Sequence, residues 1–129
     1  MNLKTLDCFD FKEKKVLLRI DINSPVVRGK ILDSPRFPES AKTINELSEK
    51  GAKIVVIAHQ GRKDSADFLS LEQHAALLSK HTNKNIQYID DLFGSKASDK
   101  INSLYGGEII LLKNVREFED ETNPKLKTN

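Results

Sequence analysis

The sequence is poor in sulfur and in the largest aromatic side chain: its 129 residues include one cysteine, Cys8, one methionine and no tryptophan. A lone cysteine cannot form a disulfide within the chain, which is typical of proteins from a reducing compartment. No stretch approaches the roughly 18 apolar residues of a membrane helix, and the N-terminal sequence MNLKTLDCFDFKEKK lacks the apolar segment of a secretory signal. We therefore expect a cytoplasmic protein with no membrane partner.

A strong excess of one charge is also missing. Lysine and arginine total 21 against 19 aspartates and glutamates, so the formal net charge is +2. A dedicated nucleic-acid-binding domain is strongly basic, and here no lysine run lies beside aromatic residues. We therefore expect no nucleic-acid partner. The apolar content of 38% is that of an ordinary globular protein, and the length predicts a single core.

Several enzyme signatures are absent as well. The chain has no G-x-G-x-x-G fingerprint, no Walker A motif, no G-x-S-x-G elbow and no cysteine and histidine spacing suited to zinc. Two adjacent acids, Asp90 and Asp91, follow an apolar run. We interpret them as a helix N-terminal cap, because acids there complement the helix dipole, and we predict no metal site.

Four short apolar runs are present, and none alternates cleanly with polar residues. Uninterrupted apolar runs of this length are typical of strands that are covered on both faces, as in a parallel sheet. The runs predict strands at KVLLRI (15–20), KIVVIA (53–58), IQYI (86–89) and EIILL (108–112).

Segments with helical spacing separate these runs. In PESAKTINELSEKG (38–51) Ala41, Ile44 and Leu47 share one face, and Gly51 supplies a stop signal. A third helix is expected at roughly 95–104. The alternation of strands and helices predicts right-handed βαβ units, and hence an α/β fold with a parallel sheet and helices on both faces. The polar stretch from Glu117 onward predicts a loop or the start of another element.

The second helix, in SLEQHAALLSKHTN (70–83), carries its own start signal. Ser70 is expected to be the N-cap, with Gln73 at the capping-box position. Leu71, Ala75 and Leu78 form the apolar stripe that this helix is expected to bury.

Polar residues follow the predicted strands. Ligands of open α/β sheets bind outside the carboxyl ends of the strands, so these residues are the candidates for a site. Three of the five arginines in the chain fall at this edge, and arginine is suited to bidentate recognition of phosphate or carboxylate. The sequence therefore predicts a basic pocket for a small polyanion, formed by Asp21 and Asn23, by His59, Gly61 and Arg62, by Asn114 and Arg116, and by Arg36 before the first helix.

Each of these residues also has a purely structural interpretation. Asp21 and Asn23 are turn formers that can simply end a strand, and His59 can be satisfied by a backbone partner. The arginines have nearby acids with which to pair, namely Asp33, Asp64 and Glu117. The coincidence of so many of these residues at one edge favours a site.

Five segments resemble, in order and spacing, the N-terminal domain of phosphoglycerate kinase, and the DINSP form is closer to archaeal members. The resemblance covers roughly 14–121 and rests on LLRIDINSPV, ILDSPRF, KGAKIVVIAHQGRK, YIDDLFG and GEIILLKNVREFEDE. It implies a Rossmann-like domain that binds 3-phosphoglycerate or 1,3-bisphosphoglycerate. It also implies that Mg-ATP or Mg-ADP is bound by a separate C-terminal domain that this chain lacks, so that the domain here is incomplete and binds no nucleotide itself.

The resemblance also implies roles for individual residues. Arg36 matches the catalytic arginine that stabilises the transferring phosphoryl group. The other implied substrate-binding residues are Asp21, Ile22, Asn23, His59, Gln60, Gly61, Arg62 and Arg116. The sequence departs from the family pattern where Gln60 replaces a leucine, Lys63 a proline and Lys113 a glutamate, and none of these changes removes an anion-binding group. The segment FPES (37–40) after Arg36 also departs from that pattern.

Two functions from different classes follow. The chain is either the substrate-binding part of phosphoglycerate kinase, inactive when alone, or a non-catalytic α/β anion-binding or scaffold module derived from that domain. A receiver-like signalling domain is a third option, but its acidic cluster would follow other strands. Because a parallel sheet taken from a larger one leaves an uncovered edge, we also expect the fragment to self-associate.

Overall fold

The computed structural model describes residues 10–117. They form an α/β fold with a four-stranded parallel sheet and helices on both faces, as predicted, and a separate two-stranded antiparallel hairpin. The strands of the main sheet lie in the order β1-β4-β6-β5, and every neighbouring pair is parallel. The elements are β1 (Lys15–Arg19), β2 (Val26–Val27), β3 (Lys30–Ile31), α1 (Arg36–Glu49), β4 (Lys53–Ile57), α2 (Glu72–Thr82), β5 (Ile86–Ile89), α3 (Ser95–Asn102), β6 (Ile109–Leu112) and a 3-10 helix (Val115–Glu117).

The uninterrupted apolar runs are explained by burial on both faces. On β4, Ile54 and Val56 belong to the cluster that includes residues of α1 and α2, whereas Val55 belongs to the cluster that includes Ala97 of α3. All four residues of β6 are buried. The two central strands therefore need apolar side chains at successive positions, which removes the alternation seen in sheets with one wet face.

The first helix buries the face that its spacing predicts. Ala41, Ile44 and Leu47 are almost fully buried, together with Phe37. The helix begins at Arg36, two residues before the predicted start. It ends beside Gly51, whose φ of +83° provides the left-handed turn that the stop signal indicates.

In the second helix the apolar stripe is confirmed, but the capping box is wrong. Leu71, Ala75 and Leu78 are buried. The helix begins at Glu72 with Leu71 at the N-cap position, so the prediction of Ser70 as the N-cap is wrong by one residue; the Ser70 hydroxyl accepts a hydrogen bond from the Glu72 amide at 3.3 Å. Gln73 does not reach back to Ser70. Its side chain instead accepts from the Ile31 amide at 2.9 Å and donates to the Gly29 carbonyl at 3.0 Å, because it supplies partners for the backbone of a hairpin that packs there.

That hairpin, β2–β3, is not predicted. Its two-residue turn consists of Arg28 and Gly29, which both have positive φ, at 52° and 77°. Two positive φ values are the signature of the tight turn that suits the twist of a two-stranded ribbon. The sequence signal for this turn was the dipeptide Arg28-Gly29 between two short segments that contain valine and isoleucine. The signal is weak, because arginine is uncommon at a turn position with positive φ.

The acids before α3 divide between two roles. Asp91 caps the helix, as predicted: its carboxylate accepts hydrogen bonds from the amides of Leu92, Gly94 and Ala97. These backbone donors, led by Ala97, hold the pKa of Asp91 below its usual range. Asp90 does not cap the helix and instead accepts from the Tyr88 hydroxyl at 3.2 Å.

Two of the predictions concern residues that lie outside the described part of the chain. They are the free Cys8 and the polar stretch beyond Glu117. Between residues 10 and 117, no helix is long and apolar enough to cross a membrane.

Candidate functional site

A polar cleft of about 260 Å³ opens at the carboxyl ends of the strands, and it brings together residues from three segments of the chain. We call it the rim cleft. The segments follow β1, β4 and β6, which are adjacent in the sheet. The lining residues are Asn23, His59, Gly61, Arg62, Ser65, Asp67 and Arg116. The structure thus gathers most of the residues that sequence analysis placed at this edge.

A direct link joins the segments that follow β1 and β4. The Gly61 amide donates a hydrogen bond to the Asn23 side-chain oxygen at 2.7 Å, and the Asn23 amide donates to Asp21 at 3.3 Å. Gly61 has a φ of +70°, and a Cβ at this position would collide with the carbonyl of Asp67. Only glycine fits here without strain, which explains why a glycine precedes Arg62.

Asn114 joins the segments that follow β4 and β6. Its side chain is fully buried, and its amide nitrogen donates to the carbonyls of Gln60 and Leu69, both at 2.9 Å. Its oxygen accepts from the amides of Gln60 at 3.3 Å and Arg116 at 3.1 Å. Asn114 therefore fixes the position of the Arg116 backbone relative to the loop that carries His59 and Arg62.

Two of the expected site residues lie beneath the cleft rather than in its wall. The side chains of Ile22 and Gln60 are both fully buried, with no exposed fraction. Ile22 packs in the main core, and the Gln60 amide nitrogen donates to the Ser24 carbonyl at 2.8 Å. Any contact of these positions with a ligand would therefore involve their backbone.

Arg36 lies in a neighbouring cleft, not in the rim cleft. Its guanidinium contacts the Asp21 carboxylate at 2.6 Å, and both side chains are at least half exposed. This second cleft has a volume of about 450 Å³ and is lined by residues of β1, Asp21 and the first turns of α1. The prediction of one pocket holding all three arginines is therefore corrected to two clefts, because Arg36 leaves the first turn of α1 toward Asp21.

In the purely structural interpretation, the arginines would pair with nearby acids, but two of those acids, Asp33 and Glu117, contact other residues. Asp33 does not pair with Arg36, because His81 lies 2.9 Å away and Lys80 at 3.5 Å. Glu117 is 3.6 Å from Lys113. The hydrogen bond with His81 is the main reason why the pKa of Asp33 is below its usual range.

Sequence analysis missed one acid in the cleft. Asp67 lines it together with Arg62 and accepts a hydrogen bond from the Ser65 hydroxyl. That hydrogen bond, with a smaller contribution from the charge of Arg62, keeps the pKa of Asp67 below its usual range. The rim cleft therefore contains a carboxylate at neutral pH. The only signal was an aspartate in a loop with several other polar residues, which is an ordinary loop composition.

Among residues 10–117, no three histidine, cysteine, aspartate or glutamate side chains are arranged to hold a metal ion. The charged groups of the rim cleft are two arginines and Asp67. Two guanidinium groups can neutralise a small anion, and together with the His59 imidazole they can fix its orientation.

Comparison with known proteins gives a consistent result. The sequence model of the family "Phosphoglycerate kinase" matches residues 6–129. The chain is 48% identical to phosphoglycerate kinase of Sulfurisphaera tokodaii over 123 residues, which is 94% of this chain and 30% of that protein. It is 49% identical to the enzyme of Methanobacterium bryantii over 119 residues, or 91% of this chain and 29% of that protein.

Solved structures show the same likeness. The crystal structure of phosphoglycerate kinase from Pyrococcus horikoshii OT3 matches with a TM-score of 0.89 and 40% identity, over 94% of this chain and 30% of the other. The enzyme from Coxiella burnetii matches with a TM-score of 0.69 and 29% identity, over 86% of this chain and 28% of the other. The chain thus spans about 30% of the length of the curated relatives that it matches.

Proposed function

The chain belongs to the phosphoglycerate kinase family, and from this we propose that it forms the 3-phosphoglycerate-binding part, the N-terminal domain, of such an enzyme. The complete enzyme would transfer a phosphoryl group reversibly between 1,3-bisphosphoglycerate and ADP, giving 3-phosphoglycerate and ATP. Within it, residues 1–129 would make up part of one domain. We place the protein in the cytoplasm, where this glycolytic step would run.

The observation that carries the proposal is the convergence of Asn23, His59, Arg62 and Arg116 around one cleft. These residues come from three segments that are distant in sequence and that meet at the carboxyl ends of adjacent strands. A phosphorylated carboxylic acid carries two anionic groups, and a cleft with two guanidinium groups can neutralise and orient it. The hydroxyl group of the acid would donate its one hydrogen bond either to the side-chain oxygen of Asn23, which lines the cleft, or to the Asp21 carboxylate, which is paired with Arg36 in the neighbouring cleft.

We assign the catalytic role to Arg36. Phosphoryl transfer requires positioning and neutralisation of charge on the transferring group, rather than a covalent intermediate with the protein. Arg36 lies beside the rim cleft and is paired with Asp21. Since both partners are at least half exposed, the ion pair is weak and the guanidinium can turn toward the reacting phosphoryl group.

The nucleotide would be bound outside residues 1–129. Neither a Walker A motif nor a glycine-rich phosphate loop occurs in this sequence. In the complete enzyme, Mg-ATP or Mg-ADP would be held by a C-terminal domain. Domain closure would then bring the nucleotide to the substrate on the rim cleft.

A binding experiment on the 129-residue chain tests the substrate assignment. Isothermal titration with 3-phosphoglycerate should show binding that exceeds the binding of inorganic phosphate. Arg62→Ala and Arg116→Ala should each weaken it. Arg28→Asn is the matched control, because it also removes one positive charge, lies outside the cleft and suits the positive φ of the hairpin turn.

The outcomes separate the two function classes. Equal affinity for 3-phosphoglycerate and phosphate would indicate the non-catalytic anion-binding module instead of a kinase substrate site. ATP-dependent turnover by residues 1–129, free of host enzyme, would contradict the location of the nucleotide site elsewhere.

We also propose that the isolated chain self-associates at the β1 side of the sheet. In residues 10–117 β1 pairs with β4 alone, so its other edge has no strand partner. On the α3 face next to this edge, Leu17 is 68% exposed and Phe93 75% exposed. Both line a mainly apolar groove of about 230 Å³. A second copy of the chain is the occupant that we propose for this surface.

A further inference from the structure

The side chain of Gln60 uses all of its hydrogen-bonding capacity although it is fully buried. Its nitrogen donates to the carbonyls of Ser24 at 2.8 Å and Asp67 at 3.1 Å. Its oxygen accepts from the Ser24 amide at 2.9 Å and lies 2.8 Å from Nε2 of His74. Gln60 thus ties the loop after β1 to the loop after β4 from below, and one of its contacts belongs to α2.

The contact with His74 fixes the tautomer of the imidazole. Because the Gln60 nitrogen already donates to two carbonyls, the atom that faces Nε2 is an acceptor, so Nε2 must carry the hydrogen. Nδ1 is then an unprotonated nitrogen, and it is buried without a hydrogen-bond partner among the described residues. Burial also lowers the pKa of His74 to about 4, so the imidazole is neutral at physiological pH.

We infer that Gln60 and His74 are positioning residues of the rim cleft: Gln60 holds the Asn23 loop at a fixed distance from the Gly61–Arg62 loop, and His74 holds Gln60. Neither residue lines the cleft, and both are fully buried. Their effect on a ligand is therefore exerted through the backbones of Ser24 and Asp67. The identity of the ligand rests on the proposed function, whereas the argument about the two loops rests only on their hydrogen bonds.

The Gly61 amide is a reporter of that geometry. It donates to Asn23 at 2.7 Å across the gap between the two loops, and Gln60 is not a partner in this hydrogen bond. If Gln60 positions the loops, its loss must weaken the bond between Gly61 and Asn23 although both residues remain. If Gln60 only satisfies its own neighbours, the effect must stop at Ser24.

Two pairs of variants of the 129-residue chain test the inference by NMR. Gln60→Leu keeps the bulk and removes all four hydrogen bonds, and Gln60→Glu keeps the two acceptors but not the donors. His74→Leu removes the donor to Gln60, and His74→Gln restores an N–H donor. The measurements are amide hydrogen exchange at Ser24 and Gly61, the imidazole nitrogen shifts of His74, and titration with 3-phosphoglycerate and with inorganic phosphate.

We expect the nitrogen shifts of the native chain to show a hydrogen on Nε2. Gln60→Leu should increase exchange at both amides and weaken binding about tenfold or more. His74→Leu should act in the same direction, with rescue by His74→Gln. Unchanged exchange at Gly61 in Gln60→Leu, or a hydrogen on Nδ1 of His74, would overturn the inference. If the native chain binds neither probe, the proposed function fails, but the exchange and tautomer results still decide the inference.

Discussion

Arg36 and Arg62 are both arginines at the carboxyl edge of the sheet, yet their surroundings differ. Arg62 lines the rim cleft beside Asp67, whereas Arg36 projects from the start of α1 to Asp21. The two side chains should therefore fail in different ways when removed. Loss of a ground-state contact raises KM, and loss of a group that acts on the transferring phosphoryl lowers kcat.

We expect Arg36→Ala to reduce kcat by about 10³-fold or more in a complete kinase that carries this sequence, the scale associated with a phosphoryl-stabilising arginine. His59→Ala and Arg62→Ala should mainly raise KM. Steady-state kinetics over a range of 3-phosphoglycerate concentrations measures both effects. An Arg36→Ala enzyme with unchanged kcat and raised KM would make Arg36 one more substrate contact.

The buried imidazole of His74 predicts a dependence of stability on pH. Its pKa is about 4 in the folded chain against 6.5 as the ordinary value, so between these values the unfolded chain holds a proton that the folded chain lacks. The free energy of unfolding should therefore fall as the pH is lowered from 6.5 toward 4, by about 3 kcal/mol in total. Denaturant unfolding at several pH values above 4.5 measures most of this decline.

The matched control for this pH dependence lies on the same helix. His74→Gln should flatten the decline, whereas His81→Gln should retain it, because His81 lies near the surface and is paired with Asp33. Asp33, Asp67 and Asp91 have lowered pKa values, so their stabilising contributions are lost only at more acidic pH, below about 3.8. A decline that persists in His74→Gln would assign it to another group.

At the residue scale, the sequence was informative where a side chain follows a strand. His59 falls directly after an apolar run and Asn23 and Arg62 within four residues of one, and the geometry of a parallel sheet brings such positions together. The partners of Gln60 were not predictable, since Ser24 lies 36 residues before it and His74 lies 14 residues after it. No local pattern specifies a hydrogen bond across such distances.

At the scale of elements, two loops with a glycine at positive φ should differ in how well they tolerate a side chain at that position. Gly29 in the hairpin has open space where a Cβ would be, and Gly61 in the rim cleft has the Asp67 carbonyl there. Their φ values are similar, 77° and 70°. Substitutions at the two glycines can therefore be compared directly, because the backbone strain is similar and only a Cβ at Gly61 would collide with another atom.

Gly29→Ala should lower the free energy of unfolding by about 1 kcal/mol, the cost of placing a side chain in the left-handed region. Gly61→Ala should lower it by clearly more, because the Asp67 backbone must also shift, and it should weaken anion binding as well. Urea unfolding and phosphate titration of both variants provide the comparison. Equal destabilisation by the two substitutions would show that the loop containing Asp67 can shift to accommodate the new methyl group without a loss of stability.

Strands and helices were largely predictable, and the exceptions have a physical cause. The apolar runs and the spacing of Ala41, Ile44 and Leu47 indicate which residues are buried. This pattern depends only on a single element and the elements packed against it, so it can be recognised locally in the sequence. Gln73 occupied a valid capping-box position, but tertiary contacts with the β2–β3 hairpin competed for its side chain. The hairpin itself contains two-residue strands, which are too short to give a periodic signal.

At the scale of the whole molecule, the proposed self-association at the β1 side of the sheet predicts how the isolated chain behaves. Burial of about 400 Å² of apolar surface between two copies would contribute on the order of 10 kcal/mol before the costs of association. We expect light scattering at several concentrations to show a mass that rises with concentration. A mass that stays that of a monomer at all concentrations would contradict self-association through this surface.

A pair of leucine variants identifies the surface involved. Leu17→Gln should shift the equilibrium toward monomer, because Leu17 lines the apolar groove beside β1. Leu32→Gln is the control, since Leu32 is also exposed but lies outside that groove. Equal effects of the two substitutions would argue against association through the groove.

The strand order also has a consequence for how the protein is made. β4 pairs with β1 on one side and with β6 on the other, and the Gln60–Asn114 contact spans 54 residues. During translation, β1 and β4 leave the ribosome well before β6, so one side of β4 waits without a partner while β5 and α3 are synthesised. Contacts of large sequence separation form late, because closing long loops costs entropy. The nascent chain therefore completes the rim cleft only when Asn114 and Arg116 have emerged, and until then an apolar strand is open to chaperones.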